Sequence, residues 1–311
     1  MPSPLALPAV VVVGSLNLDH VISVGRLPAP GETVPGRGYI TVPGGKGLNQ
    51  AVTAARQGVP VAMVGCVGAD AEGDLLKEVL AREGIGTSGV LRLPGARSGT
   101  ALITVAAGGA NTVVVAAGAN GRLSPDEVEA AGRSLRPGAV LLAQLEVPLG
   151  AVKAALSAAR ARGAISVLNP APALGPLPEE LLSLVDVLVP NETEALAISG
   201  KATPREAAAW LLARGCRRVL VTLGEQGALL AGEDGVVALP AFHVAAVDTT
   251  AAGDAFCGVL ASSLASGQDV LTAARRAGAA GALASTVMGA LPSLPSAAQV
   301  DELLAAQAQG R

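Results

Sequence analysis

Four short segments of this 311-residue chain gather the residue types that phosphate and hydroxyl chemistry requires. The sharpest is 247–256, where Ala251, Ala252 and Gly253 lead into Asp254. Small residues opening a helix leave its first amide N–H groups free to hold an anion. An aspartate there reads either as a charge favourable to the helix dipole or as a general base between a substrate hydroxyl and a phosphoryl group. The second segment, Gly44-Gly45-Lys46-Gly47-Leu48-Asn49-Gln50, lacks the Walker spacing and leads into a helix predicted over 48–57. Its glycines permit close backbone approach and Lys46 and Asn49 offer donors to sugar hydroxyls, although a plain glycine turn fits equally. Pro190-Asn191-Glu192-Thr193-Glu194 and Thr222-Leu223-Gly224-Glu225-Gln226-Gly227 follow predicted strands, where ligands bind in open α/β sheets. The former suits a hydrated Mg²⁺ and phosphate oxygens, the latter a nucleotide; both also fit ordinary cap and turn chemistry. Asn17, Asp19 and Glu146, each just past a predicted strand, supply the amides and carboxylates that a buried sugar needs.

Such segments need a rigid frame. Short continuous apolar runs at 9–13, 61–64, 140–145, 164–168, 185–189 and 219–223 have the pattern of strands buried on both faces. Between them, Ser124-Pro125-Asp126-Glu127 and Thr203-Pro204-Arg205-Glu206 read as capping boxes with Pro at the first helical position. Strand alternating with helix predicts a mostly parallel central sheet flanked by helices, one α/β domain over 1–311. Two stretches, about 20–42 and about 98–117, read as strands and turns without helices. They predict a small β unit folding over the site as a lid. Beyond Asp254 the chain reads as Ala-rich helix.

Composition narrows the partners. Half the residues are apolar but only 1% are aromatic, so the core must be built from Ala, Val and Leu. Few stacking platforms and a net charge of −3 argue against nucleic acid. Three cysteines without CxxC spacing imply reduced, buried thiols, neither a disulfide framework nor a zinc site. Residues 1–8 lack Lys, Arg and a long apolar run, so no signal peptide is expected. The most membrane-like stretch, 101–119, is broken by Gly108, Gly109, Asn111 and Thr112 and reads as two strands and a turn. A cytoplasmic protein without a membrane partner is expected. Two histidines leave little material for a Ser–His triad, and Gly14-Ser15-Leu16-Asn17 is not the dinucleotide fingerprint GxGxxG.

Six motifs occur together: 14–20 (GSLNLDH), 30–33 (PGET), 44–50 (GGKGLNQ), 169–173 (NPAPA), 190–194 (PNETE) and 247–256 (VDTTAAGDAF). In order and approximate spacing they resemble the ribokinase-like carbohydrate kinase family, from about residue 10 to about residue 293. The resemblance implies transfer of the γ-phosphoryl of ATP to the 5-hydroxyl of D-ribose. Other acceptors in the family's range are 2-deoxyribose, fructose or a nucleoside, and a silent sugar-binding protein on the same fold is the non-enzymatic alternative. It implies Asp254 as the base, with Asn17, Leu18, Asp19, Gly45, Lys46, Gly47, Leu48, Asn49 and Glu146 around the sugar. The amides of Ala251, Ala252 and Gly253 would form an anion hole. Asn191, Thr222, Leu223, Gly224, Glu225, Gln226, Gly227 and Gly278 would serve the nucleotide, and Glu194 would reach Mg²⁺ through water. A K⁺ site at Asp248, Thr250, Ala284, Val287, Gly289 and Ser293 and a homodimer joined through the β lid are further implications. Two positions depart from the pattern, and the segment 286–289 is less polar than usual, so that the K⁺ site depends on carbonyl ligands. Leu48 replaces a smaller residue and is expected to narrow the sugar pocket; Gly278 stands where relatives often carry His or Asn beside adenine.

Overall fold

The computed structural model describes residues 7–173 and 175–309. Its strands are β1 (Val10–Val13), β2 (Asn17–Val24), β3 (Gly36–Gly44), β4 (Val61–Gly68), β5 (Gly86–Leu93), β6 (Gly99–Ala106), β7 (Asn111–Ala116), β8 (Val140–Gln144), β9 (Ile165–Asn169), β10 (Val187–Leu188), β11 (Arg218–Thr222), β12 (Ala228–Gly232) and β13 (Gly235–Leu239). Its helices are α1 (Lys46–Arg56), α2 (Ala71–Arg82), α3 (Pro125–Gly132), α4 (Leu149–Ala161), α5 (Glu179–Leu182), α6 (Glu192–Ser199), α7 (Pro204–Leu212), α8 (Ala252–Ala265), α9 (Val270–Ala284), α10 (Ala290–Ser293) and α11 (Ala297–Gln309).

Nine strands form the main sheet in the order β13-β12-β11-β10-β9-β8-β1-β4-β5. From β11 to β5 all neighbours are parallel; β12 and β13 add an antiparallel hairpin at one edge. The four valines of β1 show why the sheet is covered on both sides. Val10 and Val12 pack into one core layer and Val11 and Val13 into the other, all essentially inaccessible. Side chains alternate faces along a strand, and full burial of each valine contributes roughly 1.5–3 kcal/mol. Helices α1, α2, α8, α9 and α11 cover the first face, and α3 to α7 the second. The three cysteines are free and buried. Among the described residues no helix is long and apolar enough to cross a membrane.

The predicted strand runs all appear, with differences that have physical causes. The 185–189 run forms a strand only at Val187 and Leu188: Val185 N–H donates back to the Leu182 carbonyl, closing the turn after α5, while Val189 N–H still donates to the Leu168 carbonyl of β9 at 2.8 Å. The Ser124 capping box is reciprocal, whereas at Thr203 only the side-chain half forms: Thr203 accepts from the Glu206 amide and nothing returns. A separate four-stranded sheet, ordered β3-β2-β6-β7, stands beside the main one. Strand order along the main sheet reverses at β1, flanked by β4 on one side and β8 on the other. Ligand sites in open α/β sheets form beyond the strand ends at such a reversal.

Candidate active site

The chain leaving β1 makes the first wall. Leu48 N–H donates to the Ser15 carbonyl at 3.0 Å, seating α1 against the strand end. Glu146, past β8, accepts from the Ser15 hydroxyl and from Lys46 N–H (3.0 Å), clamping the glycine turn from the neighbouring strand. That turn needs glycine. Gly45 has φ +91°, and a Cβ on Gly47 would come within 2.6 Å of the Ser15 backbone. On β2, Asn17 is buried and its Oδ1 accepts from Asn120 Nδ2 at 2.8 Å, which leaves its own amide hydrogens to a ligand. Asp19 shares that strand face. Burial, then the charges of Glu146 and Asp254, push its carboxyl up to about 7.

The second wall is the start of α8. Ala251, its N-cap, is the one described non-glycine residue at positive φ (+60°), the strained backbone expected where a turn is shaped for function. Ala252 N–H already donates to the Thr249 carbonyl at 3.2 Å, so its amide is only partly available to an anion. The first-turn amides of Gly253 and Asp254 have no helical carbonyl four residues back. Asp254 is 7% exposed. Asn49 Nδ2 donates to its Oδ2 at 3.0 Å, and Gln50 Nε2 to its Oδ1 at 2.9 Å. Asn49 Oδ1 is buried without a partner, an acceptor open to a hydroxyl.

Two cavities adjoin at this helix start. One of about 210 Å³ is lined by Lys46, Asn169, Asn191, Glu194, Asp254 and Cys257 among others. A cleft of about 550 Å³ runs from Thr222, Gly224, Glu225 and Gly227 along 239–244 to Ala274, Gly278 and Ser285. Thr222, Thr249 and Gly253 line both. The Lys46 side chain therefore faces the Asn191–Glu194 end. Burial works against its charge, yet Asp254, Glu146 and Glu194 hold the ammonium above its ordinary value. Burial raises Glu194, opposed by the Asn191 amide and Lys46. Asn191 and Glu194 also form a reciprocal capping box on α6, at 2.8 and 2.9 Å.

Several expectations are corrected. Leu48 does not narrow a pocket: it is fully buried in the core with Leu16, pointing away from the cavity. Leu18 likewise packs inward, since alternation along β2 turns it from the face that carries Asn17 and Asp19. Gly47 serves helix packing against Ser15. Leu223 packs on the core and Gln226 is solvent-exposed, so neither lines the cleft. Gly278 does line it, and a Cβ there would sit 3.5 Å from the Phe242 ring. Phe242, Asn120, Asn169 and Gln50 escaped the sequence reading. Only Gln50 and Asn169 carried a signal, as members of recurring motifs.

The Asp248 loop and the Gly289 segment, 41 positions apart, meet as expected. Asp248 Oδ2 accepts from Gly289 N–H at 2.8 Å and Oδ1 from Thr250 N–H and hydroxyl. Burial would raise this carboxyl, but those hydrogen bonds hold it below the usual range. The Ser293 hydroxyl donates to the Ala290 carbonyl at 2.7 Å within its own short helix. Among the described residues no three His, Cys, Asp or Glu side chains group to hold a metal.

A parallel α/β sheet with a β flap, a nucleotide-sized cleft and a buried carboxylate at a helix start defines a small-molecule phosphotransferase. Residues 8–297 match the pfkB family carbohydrate kinase, and the chain belongs to that family. It is 40% identical over 298 residues to the ribokinase of Haemophilus influenzae, covering 94% of this chain and 97% of that protein. The deoxyribokinase of Salmonella typhi is 37% identical over 300 residues, with 95% and 98% covered. The solved structure of Arabidopsis thaliana ribokinase complexed with ribose and ATP matches with a TM-score of 0.87 at 32% identity, covering 96% and 99%.

Proposed function

We propose that this chain transfers the γ-phosphoryl group of ATP to the 5-hydroxyl of D-ribose, giving ribose 5-phosphate and ADP. The observation that carries the reading is the position of Asp254. It is a buried carboxylate on the first turn of a 14-residue helix, where a nucleotide-sized cleft joins a polar cavity. Phosphoryl transfer asks a protein for positioning and charge neutralisation more than for covalent chemistry. Asn17, Asp19 and Asn49 hold the sugar through the amide and carboxylate atoms that they leave unpaired. Asp254 takes the proton of the 5-hydroxyl as that oxygen bonds to the γ-phosphorus and the bond to the β-phosphate oxygen breaks.

The first-turn amides of α8, Gly253 foremost, receive the charge on the transferring group, and one such preorganised donor is worth about 3 kcal/mol. Lys46 acts there too, on the phosphoryl side rather than on the sugar. Thr222, Gly224, Glu225 and Gly227 follow the nucleotide, and Phe242 opposite Gly278 supplies the base-binding wall. Asn191 and Glu194 would hold a hydrated Mg²⁺ carried in by the phosphates, which supplies further neutralisation. Asp248, Thr250, Ala284, Val287, Gly289 and Ser293 would hold K⁺, which when bound fixes the turn before the α8 amides. The whole works as one α/β domain whose four-stranded sheet closes over the sugar, and two chains pair through that sheet.

ADP release measured with ribose, 2-deoxyribose, fructose and adenosine tests the proposal, with ribose expected to give the highest kcat/KM. A preference for 2-deoxyribose would move the chain to the deoxyribokinase specificity. Asp254→Asn is expected to lower ribose turnover by ~10²-fold or more, the scale of a lost general base, with ribose binding retained. Near-normal turnover in that variant would leave Asp254 as a helix cap.

A further inference from the structure

Gln50 makes contacts that the transfer step does not use. It is fully buried on α1. Its Nε2 donates to Asp254 Oδ1 at 2.9 Å and to Asn169 Oδ1 at 3.2 Å, and its Oε1 accepts from Gln144 Nε2 at 2.6 Å. A side-chain amide keeps its shape when turned end for end, so the direction of such a chain needs a cause. Here the cause lies at one of its ends. Asn169 Nδ2 donates to the Val189 carbonyl at 2.9 Å, which turns its oxygen towards Gln50. At the other end Gln144 Nε2 donates to Gln50 Oε1 and braces it, although the unpaired Gln144 Oε1 means that Gln144 follows Gln50. Between an acceptor and a donor so placed, only one orientation of Gln50 pairs every contact: NH₂ towards Asp254. That face complements an ionised carboxylate, which only accepts.

The arrangement is held at a cost. Gln144 Oε1 is buried without a partner, and a buried unpaired acceptor is unfavourable. Gly14 leaves room for that oxygen, since a Cβ there would stand 1.9 Å from it. Strands β8 and β9 thus reach through two amides to the carboxylate on α8. Charges facing Asp254 come from Lys46 at the start of α1, Glu194 on α6 and Asp19 on β2, with the Cys257 thiol on α8 itself.

We propose that Gln50 is the positioning residue of the base: set by Asn169 and braced by Gln144, it holds the Asp254 carboxylate in one rotamer as a hydrogen acceptor, leaving the remaining lone pairs to the sugar hydroxyl. The inference rests on Asp254 as the base, not on which sugar is phosphorylated.

Gln50→Glu tests it, because the isosteric change sets a second carboxylate against the first. Two carboxylates so placed share a proton, and the pair ionises fully only at higher pH. Since the base must be ionised, the acid limb of the kcat profile is expected to move up by about one pH unit or more. At pH 7, above that limb, kcat should still fall at least ~10-fold because the carboxylate is no longer held in one rotamer, while KM for sugar and ATP stays within about threefold. A merely structural Gln50 would let the added charge move that limb but would leave kcat on the plateau above it at the wild-type value. An unmoved limb, or a loss carried in KM, overturns the proposal. Gln144→Met, which adds no charge, frees Gln50 to turn and is expected to lower kcat several-fold at constant KM. Unchanged kcat in that folded variant overturns the relay. Assays use whichever sugar the wild-type enzyme turns over best, so a failure of the ribose assignment shows in the panel and not in this comparison.

Discussion

Asp19 carries the clearest pH signature of any single residue in the site. Its carboxyl, raised from the ordinary 3.8 to about 7 by burial and by Glu146 and Asp254, binds a proton more readily folded than unfolded. Its contribution to stability is therefore fully present below about 3.8 and is lost as pH rises towards 7. Without sugar, Asp19→Asn should match the wild-type Tm near pH 4 and exceed it at pH 8. Thermal melts across that range check this, and a constant difference would remove the shift. The same variant should raise the sugar KM about tenfold or more, since a hydrogen bond to a charged group is worth ~1.5–3 kcal/mol. At this scale the sequence was partly transparent. Asp254 stood out because Ala251, Ala252 and Gly253 before it leave amides exposed. Gln144 and Asn120 did not, because a buried amide inside a helix or strand has no local signature, and Gln50, though inside the 44–50 motif, showed nothing of partners that lie 94 to 204 positions away. Leu48 misled for the complementary reason: its motif neighbours face the site, and one helical step turns it into the core.

The distance between α1 and α8 decides whether those amides reach the carboxylate, and Gly258 sets it. A Cβ on Gly258 would lie 2.5 Å from Thr53 Cβ and 2.8 Å from the Gln50 carbonyl, so any side chain pushes the helices apart. In an ordinary helix interior Gly→Ala stabilises by ~1 kcal/mol. Here Gly258→Ala is expected to destabilise by ~1–3 kcal/mol through overpacking. It should also lower kcat by about 10²-fold, because small displacements of catalytic groups cost that much. Urea unfolding and steady-state kinetics read the two effects separately; a more stable, fully active variant would show that the contact is loose. The elements themselves were legible where burial is two-sided. Runs such as 10–13 are apolar throughout, and only a doubly covered strand is. The edge strands β5 and β13 were missed: β5 mixes polar with apolar residues, and β13 is exposed over four of its five positions. Edge strands answer to solvent on at least one side, so their sequences carry a weaker pattern.

For the whole molecule, the question is what covers the small sheet. Ile22, Tyr39, Ile40, Leu102, Val113, Val114 and Val115 all lie exposed on it, and β7 is exposed along its whole length. Apolar side chains exposed in such number mark an interaction site more often than a solvated sheet. Its two faces are distinguishable from the register. Val114 pairs with Leu102, which pairs with His20, away from the site; Val113 pairs with Ile103 and Val21, on the face that Asp19 shares. Val113→Glu and Val114→Glu therefore place one charge on each face without touching the main sheet. If two chains pair through this sheet, the wild-type protein has the mass of a dimer by light scattering, and at least one variant has that of a monomer. The variant that dissociates identifies the face. Loss through Val113 should also raise the sugar KM, because a flap that loses its partner on the site-facing side closes less firmly over the sugar. Loss through Val114 alone should leave KM within about threefold, since that face only docks the partner. A dimer mass retained by both variants would place the contact elsewhere on the molecule, and a wild-type monomer would leave the sheet a flap acting alone.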